Sequence, residues 1–499
     1  MSSTGGSGSA ERRIALRLAL LAALAYLPFS HCHFSASDER GVFEPARSLV
    51  LRGNLAIGPG QHVFRGRDGR LYSHFAIGQT LLVLPLAAAG EAAARLVPEN
   101  VVRVAIGREP DGNLDTQEDP AIFLASLYAP LATGALVGLF YAFERRLGVS
   151  RRGALLAAAL LGGATYVAAL SVFFLAHTTE ALAILGALCA LHAWRSGGRL
   201  RDLALGSALA SSLVLIRVPA LAAGPALAGY LLFGVAERLR SPPRPPLLRV
   251  AAAVLAPPLC VAAVHLAVNR AEWGTWIASP MLAQAPLLRG SLWHGLHGLL
   301  LSPGASLFVY SPLLLLLPFT LPGFWRVHRA ECVAVLALAA SFLLVCGRFL
   351  FWHGLWSAPG PRYLFALVPA LMLPLGAWLD GARSRAARAG VAALALGGLG
   401  VQLVLMSVHW RRAVERMGYQ NETAHFEFLF DPLRAPIVGC ARALFAGDVD
   451  VYLWALARGV PGRDPAPLLA AALLLGWLAL FALCAARLRA ALAAAGADD

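Results

Sequence analysis

The sequence predicts an all-α protein that crosses a membrane many times, and its composition carries most of that prediction. Of the 499 residues, 58% are hydrophobic and 14% are charged, whereas a soluble globular protein carries about 25% charged residues. Apolar runs of roughly 20 residues recur along the chain, and each is long enough to cross a hydrocarbon core about 30 Å thick. No polar stretch is long enough to form a separate soluble domain.

The apolar runs predict about twelve transmembrane helices. The first run, 14–30, follows Glu11-Arg12-Arg13 and has no small-residue cleavage site, so it is predicted to be an uncleaved first helix with a cytoplasmic N-terminus. The remaining runs fall at 75–97, 121–143, 154–174, 178–195, 202–216, 219–236, 248–268, 308–325, 331–348, 362–381, 389–409 and 466–487.

Arginine predicts which loops are cytoplasmic. The net charge is +14, and the arginines cluster in short loops, which is the positive-inside pattern of membrane proteins rather than a sign of nucleic-acid binding. The clusters are Arg145 to Arg152, Arg195 to Arg201, Arg238 to Arg249, Arg326 with Arg329, Arg383 to Arg388, and Arg487 with Arg489. All of them are cytoplasmic only if 75–97 does not cross, so that stretch is predicted to be a juxtamembrane or re-entrant piece on the outer side, with both termini cytoplasmic.

This topology divides the chain into four parts. Residues 1–13 are predicted to be a disordered cytoplasmic N-terminus, and 14–409 a transmembrane domain whose first outer loop is 31–120. Residues 410–465 form another outer loop, and 466–499 hold the last transmembrane helix and a cytoplasmic tail. Because the cytoplasmic loops are short and basic, the outer face is the better candidate for chemistry.

Two patterns in the first outer loop bear on that chemistry. Asp38 and Glu39 stand just past the first helix, where a carboxylate can act as a general base or hold a divalent cation that binds phosphate. The structural alternative is that Ser37 or Asp38 caps a surface helix. His31-Cys32-His33 has the composition of a metal tripod, but neighbours in sequence rarely face one point, so we expect no metal site there.

The first outer loop resembles that of GT-C glycosyltransferases, the integral-membrane enzymes that use polyprenyl-phosphate sugars. The matching stretches are Asp38-Glu39, Glu44 to Leu49, Arg52 to Leu55 and Gly69 to Gly78; later matches are Glu144 to Gly148, Arg217-Val218-Pro219, Leu301 to Gly304 with Tyr310-Ser311-Pro312, and Gly360 to Leu364. The protein mannosyltransferases that use dolichyl-phosphate mannose and the bacterial aminoarabinose transferases are members. The resemblance implies a GT-C bundle with outer-face juxtamembrane helices.

The resemblance also implies roles for particular residues. Asp38 matches the acidic residue that deprotonates the acceptor, and Glu39 would support it or bind a metal. Arg217 and Arg362, beside prolines at helix ends, would bind the lipid phosphate, unless they extend to lipid headgroups.

Four further residues are candidate substrate contacts: Tyr72, His74, Glu180 and Tyr363. For Glu180 the structural alternative is a helix N-terminal acid, and for His74 it is a surface histidine. Aminoarabinose transferases carry an aromatic-Glu-Lys-Pro motif where this chain has Tyr72-Ser73-His74-Phe75, so their acceptor and acid–base details do not carry over.

The predicted function is therefore transfer of a sugar from a polyprenyl-phosphate donor to a lipid, glycan or protein acceptor, with inversion, at the outer face of a bacterial inner membrane. Mg²⁺ or Mn²⁺ is the candidate cofactor, and membrane lipids but no nucleic acid are the other partners. A transporter or flippase of a lipid-linked glycan is the alternative, and an inactive scaffold with the same fold is a third reading.

Overall fold

The computed structural model describes residues 4–106, 119–242, 244–277, 280, 288–355, 357–382, 384–418, 428–458 and 465–496. Helices dominate this part of the chain. Its only strands are β1 (Val63–Arg65) and β2 (Leu71–Ser73), which pair antiparallel as one hairpin in the first outer loop. The predicted all-α class is confirmed, and the hairpin is an addition that the sequence analysis did not foresee.

The first half of the chain forms α1 to α12. The helices are α1 (Thr4–Tyr26), α2 (Ser37–Arg52), α3 (Ile77–Leu96), α4 (Glu99–Ile106), α5 (Pro120–Ser126), α6 (Tyr128–Arg146), α7 (Arg151–Ala164), α8 (Tyr166–Ala169), α9 (His177–Gly197), α10 (Leu200–Ile216), α11 (Gly224–Arg240) and α12 (Leu247–Trp273). Short 3₁₀ turns follow α1, α8 and α10, at Leu27–Phe29, Leu170–Val172 and Val218–Ala223. The C-terminal ends of α1 and α10 thus continue as 3₁₀ helix, and candidate site residues lie close to both ends.

The second half forms α13 to α22 in the described residues. These helices are α13 (Leu292–Leu301), α14 (Leu307–Tyr310), α15 (Leu317–Val327), α16 (Arg329–Arg348), α17 (Leu367–Gly381), α18 (Arg385–Ser407), α19 (Trp410–Arg416), α20 (Pro436–Phe445), α21 (Tyr452–Arg458) and α22 (Ala466–Gly496). The 3₁₀ turns Pro312–Leu316 and Arg362–Leu364 precede α15 and α17. The second of these turns carries two of the predicted site residues.

Seven helical segments of the described chain are long and apolar enough to cross a membrane, or eight if the bent α7–α8 pair is one span. The chain is thus a multi-pass membrane protein, but the predicted count of about twelve is not reached by this criterion. The other predicted spans are helical yet do not meet it: α10 has 17 residues and α17 has 15, while α1 and α9 carry charged residues that lower their hydropathy. Shorter helices of this kind depend on their neighbours to bury polar groups.

Ion pairs connect several of the arginine loops that are predicted to be cytoplasmic. Glu11 at the start of α1 forms ion pairs with Arg145 and Arg151, at 3.2 and 2.8 Å. Arg195 in the next arginine loop forms ion pairs with Glu237 and with Glu331, which belong to the third and fourth loops. These contacts join the first arginine loop to the N-terminus, and the second loop to the third and the fourth.

Helix α3 is apolar enough to span, but its contacts favour the predicted juxtamembrane position. Near its N-terminus, Gly78 abuts the backbone of Leu215 at the outer end of α10. Near its C-terminus, Glu91 forms an ion pair of 2.7 Å with Arg47 on α2. The two ends of α3 therefore contact α10 and α2, and its juxtamembrane position stays a prediction.

Candidate active site

Helix α2 starts shortly after the outer end of α1, and one carboxylate fixes that start. Glu39, in the first turn of α2, turns back so that Oε2 accepts hydrogen bonds from the backbone N–H groups of Ser35 and Ala36, at 2.6 and 2.9 Å. Its Oε1 accepts a third bond, 2.6 Å long, from the N–H of Phe174. These N–H groups would otherwise be left unbonded in a buried place, which is costly.

Glu39 is therefore a positioning group for the loop that carries Asp38. Its side chain is 1% exposed. Burial raises the pKa of this carboxyl to about 7, while the hydrogen bonds from Ser35, Ala36 and Phe174 act in the opposite direction. The capping role that the sequence analysis considered for Ser37 or Asp38 is thus filled by Glu39, and Asp38 is the carboxylate that pairs with Arg362.

Asp38 lies between a guanidinium and an imidazole. Its Oδ2 accepts a hydrogen bond of 2.8 Å from Nη1 of Arg362, and its Oδ1 is 3.6 Å from Nε2 of His62 on the hairpin. Ser357 also hydrogen-bonds the carboxylate. Burial by itself raises the pKa of Asp38, but the charge and hydrogen bonds of Arg362 lead to a net lowering. Asp38 is consequently ionised at neutral pH.

A tyrosine connects this ion pair to a second one. The guanidinium of Arg362 lies 5.1 Å from the centroid of the Tyr363 ring and donates a hydrogen bond to its hydroxyl at 3.3 Å. The guanidinium of Arg217 lies 5.4 Å from the centroid of the same ring. Two cations on one aromatic ring are held by its negative π face. The two arginines predicted to bind phosphate therefore lie at one place.

Glu180 completes the second ion pair. Its Oε2 accepts a hydrogen bond of 2.9 Å from Nη1 of Arg217, and its side chain is 1% exposed. Its other carboxylate oxygen has no hydrogen-bond partner within the described residues. His177, one turn earlier on α9, also places both ring nitrogens in a buried position without a partner there, with its ring 6.3 Å from that of Tyr363. Unsatisfied buried polar atoms at one point are typical of a ligand site.

A glycine makes room for the Arg362 side chain. Gly354 has a φ of +63°, which is the left-handed region that favours glycine. A Cβ atom there would lie 2.8 Å from Nε of Arg362 and 3.0 Å from the Tyr363 ring. The loop before α17 therefore folds closely over the guanidinium and fixes its direction.

The hairpin brings one histidine to Asp38 that the sequence analysis missed. His62 immediately precedes β1, its carbonyl accepts a hydrogen bond of 3.1 Å from the N–H of His74, and the two rings are 4.9 Å apart. His62 also has a φ of +61°, which is strained for a residue with a side chain. The Asp-Gly pair at 68–69 is a hairpin signal, and it would have placed His62 opposite His74.

Two of the predicted substrate contacts on the hairpin have different surroundings. His74 is adjacent to His62, and burial, then the proximity of His62, lowers its pKa to about 4, so it is neutral at physiological pH. Tyr72 is not part of the cluster around Asp38 in this structure. Its hydroxyl donates a hydrogen bond of 2.7 Å to Asp68, and its ring contacts Trp273 at the end of α12.

The Asp38–Glu39 pair does not fit the predicted Mg²⁺ or Mn²⁺ site. Such cations require several oxygen ligands around one point. Here the two oxygens of Glu39 accept backbone N–H groups, and Oδ2 of Asp38 is paired with Arg362. Within the described chain, the group of side chains with metal-ligand geometry is instead His31, His33 and Asp450.

That group corrects the expectation for His31-Cys32-His33. Cys32 is not part of this group, and its Sγ contacts the Ser30 hydroxyl at 3.5 Å. The two histidines that flank it face one point, where Asp450 from the far end of the chain also lies. Spacing in sequence could not reveal this partner.

Comparison with known proteins supports the fold. No protein-family model matches the sequence, and a search of curated proteins finds no match. Among solved structures, the chain is similar to ArnT from Cupriavidus metallidurans bound to undecaprenyl phosphate, with a TM-score of 0.50, 14% identity, and coverage of 89% of this chain and 78% of that one. The oligosaccharyltransferase of Archaeoglobus fulgidus, in a complex with Zn and sulfate, matches with a TM-score of 0.43 and 11% identity over 85% of this chain and 58% of that one.

The likeness to ArnT covers most of both chains, and at this identity it concerns the fold alone. Together with the helix order, it shows that the chain has the GT-C fold that the sequence motifs predicted. Whether the chemistry is also shared is a separate matter, which depends on the side chains at the outer end of α1.

Proposed function

We propose that this protein is an inverting glycosyltransferase that moves a sugar from a polyprenyl-phosphate donor to an acceptor at the outer face of a bacterial inner membrane. The acceptor is a lipid, a glycan or a protein. One observation supports this most: Asp38, Arg362, Tyr363, Arg217 and Glu180 form a continuous chain of contacts. It combines an ionised carboxylate with two arginines.

The reaction requires both kinds of group. The acceptor hydroxyl attacks C1 of the sugar, a new C1–O bond forms, and the C1–O bond to the lipid phosphate breaks. The hydroxyl proton passes to Asp38, whose Oδ1 is the oxygen that Arg362 does not occupy. The departing polyprenyl phosphate gains negative charge, which the guanidinium groups of Arg217 and Arg362 stabilise.

The donor class is the part of this proposal that draws on the structural neighbour. ArnT, whose fold is similar to that of this chain, was crystallised with undecaprenyl phosphate. A phosphate group is a suitable ligand for this cluster because each guanidinium has N–H groups beyond those already bonded to a carboxylate. Nε of Arg362, in particular, is buried without a partner among the described residues.

The test is sugar transfer in proteoliposomes with a panel of radiolabelled polyprenyl-phosphate sugars. Asp38→Asn keeps the shape of the side chain and removes the base, so we expect transfer to fall by about 10²–10⁴-fold. Asp68→Asn is the matched control, because Asp68 lies in the hairpin turn, outside the cluster around Asp38, and bonds Tyr72; we expect it to stay within about twofold of wild type.

Folding of each variant is verified by gel filtration in detergent. If a folded Asp38→Asn variant transfers sugar at the wild-type rate, Asp38 is not the base. If the wild type transfers no sugar from any donor of the panel, the enzyme reading fails, and measurement of lipid-linked glycan movement across the vesicle membrane then tests the flippase alternative.

A further inference from the structure

Three buried side chains converge where the end of the first helix meets the C-terminal part of the chain. Nε2 of His33 is 2.9 Å from Oδ2 of Asp450, and Nδ1 of His31 is 3.6 Å from the same oxygen. The exposed fractions are 1% for His31 and 5% for both His33 and Asp450. No step of the proposed reaction uses these groups.

The ring nitrogen that faces away from Asp450 lies, in each imidazole, close to a backbone carbonyl oxygen. Nε2 of His31 is 3.2 Å from the carbonyl oxygen of Met406, and Nδ1 of His33 is 3.1 Å from the carbonyl oxygen of Phe34. A carbonyl oxygen only accepts, so in the tautomer that binds a metal these two nitrogens donate to the carbonyl groups. The nitrogens that face Asp450 then carry lone pairs, and a backbone carbonyl that accepts the other ring N–H is the usual partner of a metal-bound histidine.

With that tautomer, two lone pairs and a carboxylate face one another, which is an arrangement suited to a positive ion between them. A divalent ion satisfies all three at once. In a tetrahedral zinc site with bonds of about 2.0–2.1 Å, ligand atoms are about 3.3 Å apart. The contacts to Asp450, at 2.9 and 3.6 Å, lie on either side of that value, and the three ligand atoms are all within 4.8 Å of one another.

We propose that His31, His33 and Asp450 form a binding site for one Zn²⁺ ion. Two imidazoles and one carboxylate are ligands that zinc accepts readily, whereas Mg²⁺ prefers oxygen ligands throughout. A third imidazole, His409, stacks on His33 with the ring centroids 5.2 Å apart, and its Nε2 is buried without a partner among the described residues. The ion would be enclosed by the protein on the side of α18.

The site would clamp the loop that carries Asp38 to the C-terminal part of the protein. His31 and His33 lie between α1 and the Ser35–Ala36 amides that Glu39 holds. On the other side, Asp450 precedes α21, and the backbone N–H of Tyr452 already donates to the carbonyl of Ser30 at 3.1 Å. Zinc would thus strengthen a link that the buried histidine–carboxylate contact and the Tyr452–Ser30 backbone bond already make between two segments 417 residues apart.

The experiment measures metal directly and does not depend on transferase activity. The full chain, purified in detergent through an affinity tag that contains no histidine, is treated with a chelator, dialysed against ZnCl₂ and analysed by mass spectrometry for zinc. We expect one Zn²⁺ per chain and a higher melting temperature than in the chelated protein. Substitution with Co²⁺ should give the visible absorption of a tetrahedral site.

Variants identify the ligands. His33→Gln and Asp450→Asn should each weaken Zn²⁺ binding by more than about 100-fold, since loss of a direct ligand exceeds the effect of losing an outer-shell partner. His297→Ala, which removes an exposed histidine on α13 that stacks on Phe430, should bind zinc as the wild type does.

Two results would overturn the proposal. One is a wild type that holds no zinc after dialysis and melts at the same temperature with or without chelator, which would make the cluster a proton-held ion pair. The other is zinc content unchanged in both ligand variants, which would place the metal elsewhere. The wild-type measurement decides the matter even if a ligand variant does not fold.

Discussion

Replacement of Glu39 by glutamine tests whether this residue positions the Asp38 loop or takes part in chemistry. Glutamine has nearly the same shape and presents one oxygen and one NH₂ group. If the oxygen stays with the Ser35 and Ala36 amides, the NH₂ group faces the N–H of Phe174. Two donors then oppose each other in a buried place.

The size of the effect follows from these three bonds. Replacing a charge-assisted hydrogen bond by a neutral one costs about 1 kcal/mol, and this occurs twice, at Ser35 and Ala36. Leaving the N–H of Phe174 unbonded costs about 1–3 kcal/mol more. Removal of a buried charge offsets part of the sum, because burial disfavours the carboxylate. We expect Glu39→Gln to lower the free energy of unfolding by roughly 2–4 kcal/mol.

The assay is thermal unfolding in detergent, with sugar transfer measured below the transition. A positioning residue predicts that transfer and melting temperature fall together. Glu44→Gln is the matched control on the same helix, because the ion pair of Glu44 among the described residues is a long, partly exposed contact of 4.0 Å with Arg47, and such a pair contributes about 1 kcal/mol or less.

An unchanged melting temperature in Glu39→Gln, with transfer abolished, would refute this reasoning and return Glu39 to a direct role in the reaction. Equal destabilisation by Glu39→Gln and Glu44→Gln would also contradict it, since the effect would then reflect any loss of charge from α2 rather than the three buried hydrogen bonds.

Three other predictions concern the neighbouring groups. Glu180→Gln leaves Arg217 buried without its carboxylate, so unfolding measurements should show a loss of about 3–5 kcal/mol, and a loss below 1 kcal/mol would contradict a buried pair. The pKa of His74 is lowered from 6.5 to about 4, so the unfolded chain gains a proton before the folded chain as the pH falls. The free energy of unfolding should therefore decrease between pH 6.5 and 4, by at most about 3 kcal/mol. His74→Gln should remove this dependence when unfolding is measured across that range. The pH profile of transfer should give a higher acidic pKa for kcat than for kcat/KM, since donor phosphate competes with Asp38 for Arg362; coincident values would contradict that competition.

The sequence could predict the helices well because each apolar run is long enough to be unambiguous. The juxtamembrane position of α3, inferred from the arginine count, stays a prediction, and the contacts of Gly78 and Glu91 are compatible with it. The number of spans was less predictable, since α10 and α17 are short and acquire a buried environment only from their neighbours. The hairpin was missed because its two strands have three residues each.

The candidate site shows a similar division. Asp38, Arg217, Arg362, Tyr363 and Glu180 were selected singly, from motifs and helix ends, and the fold brings them together. His62 and Ser357, which contact Asp38, could not be assigned to it from their spacing in sequence, because such contacts depend on loop conformation. For the same reason, Asp450 could not be assigned to the histidines that follow α1.

The charges of the cluster explain how donor binding and proton transfer could be coupled. Asp38 is paired with Arg362 and Glu180 with Arg217, so the four groups sum to zero, and Tyr363 lies between the two pairs. A lipid phosphate that enters must share the arginines with these carboxylates. The negative charge of a phosphate bound to Arg362 would offset the positive charge that acts on Asp38, and the pKa of Asp38 would rise toward its ordinary value. The carboxylate would thus become a stronger base only when a donor is present, which favours transfer after both substrates have bound.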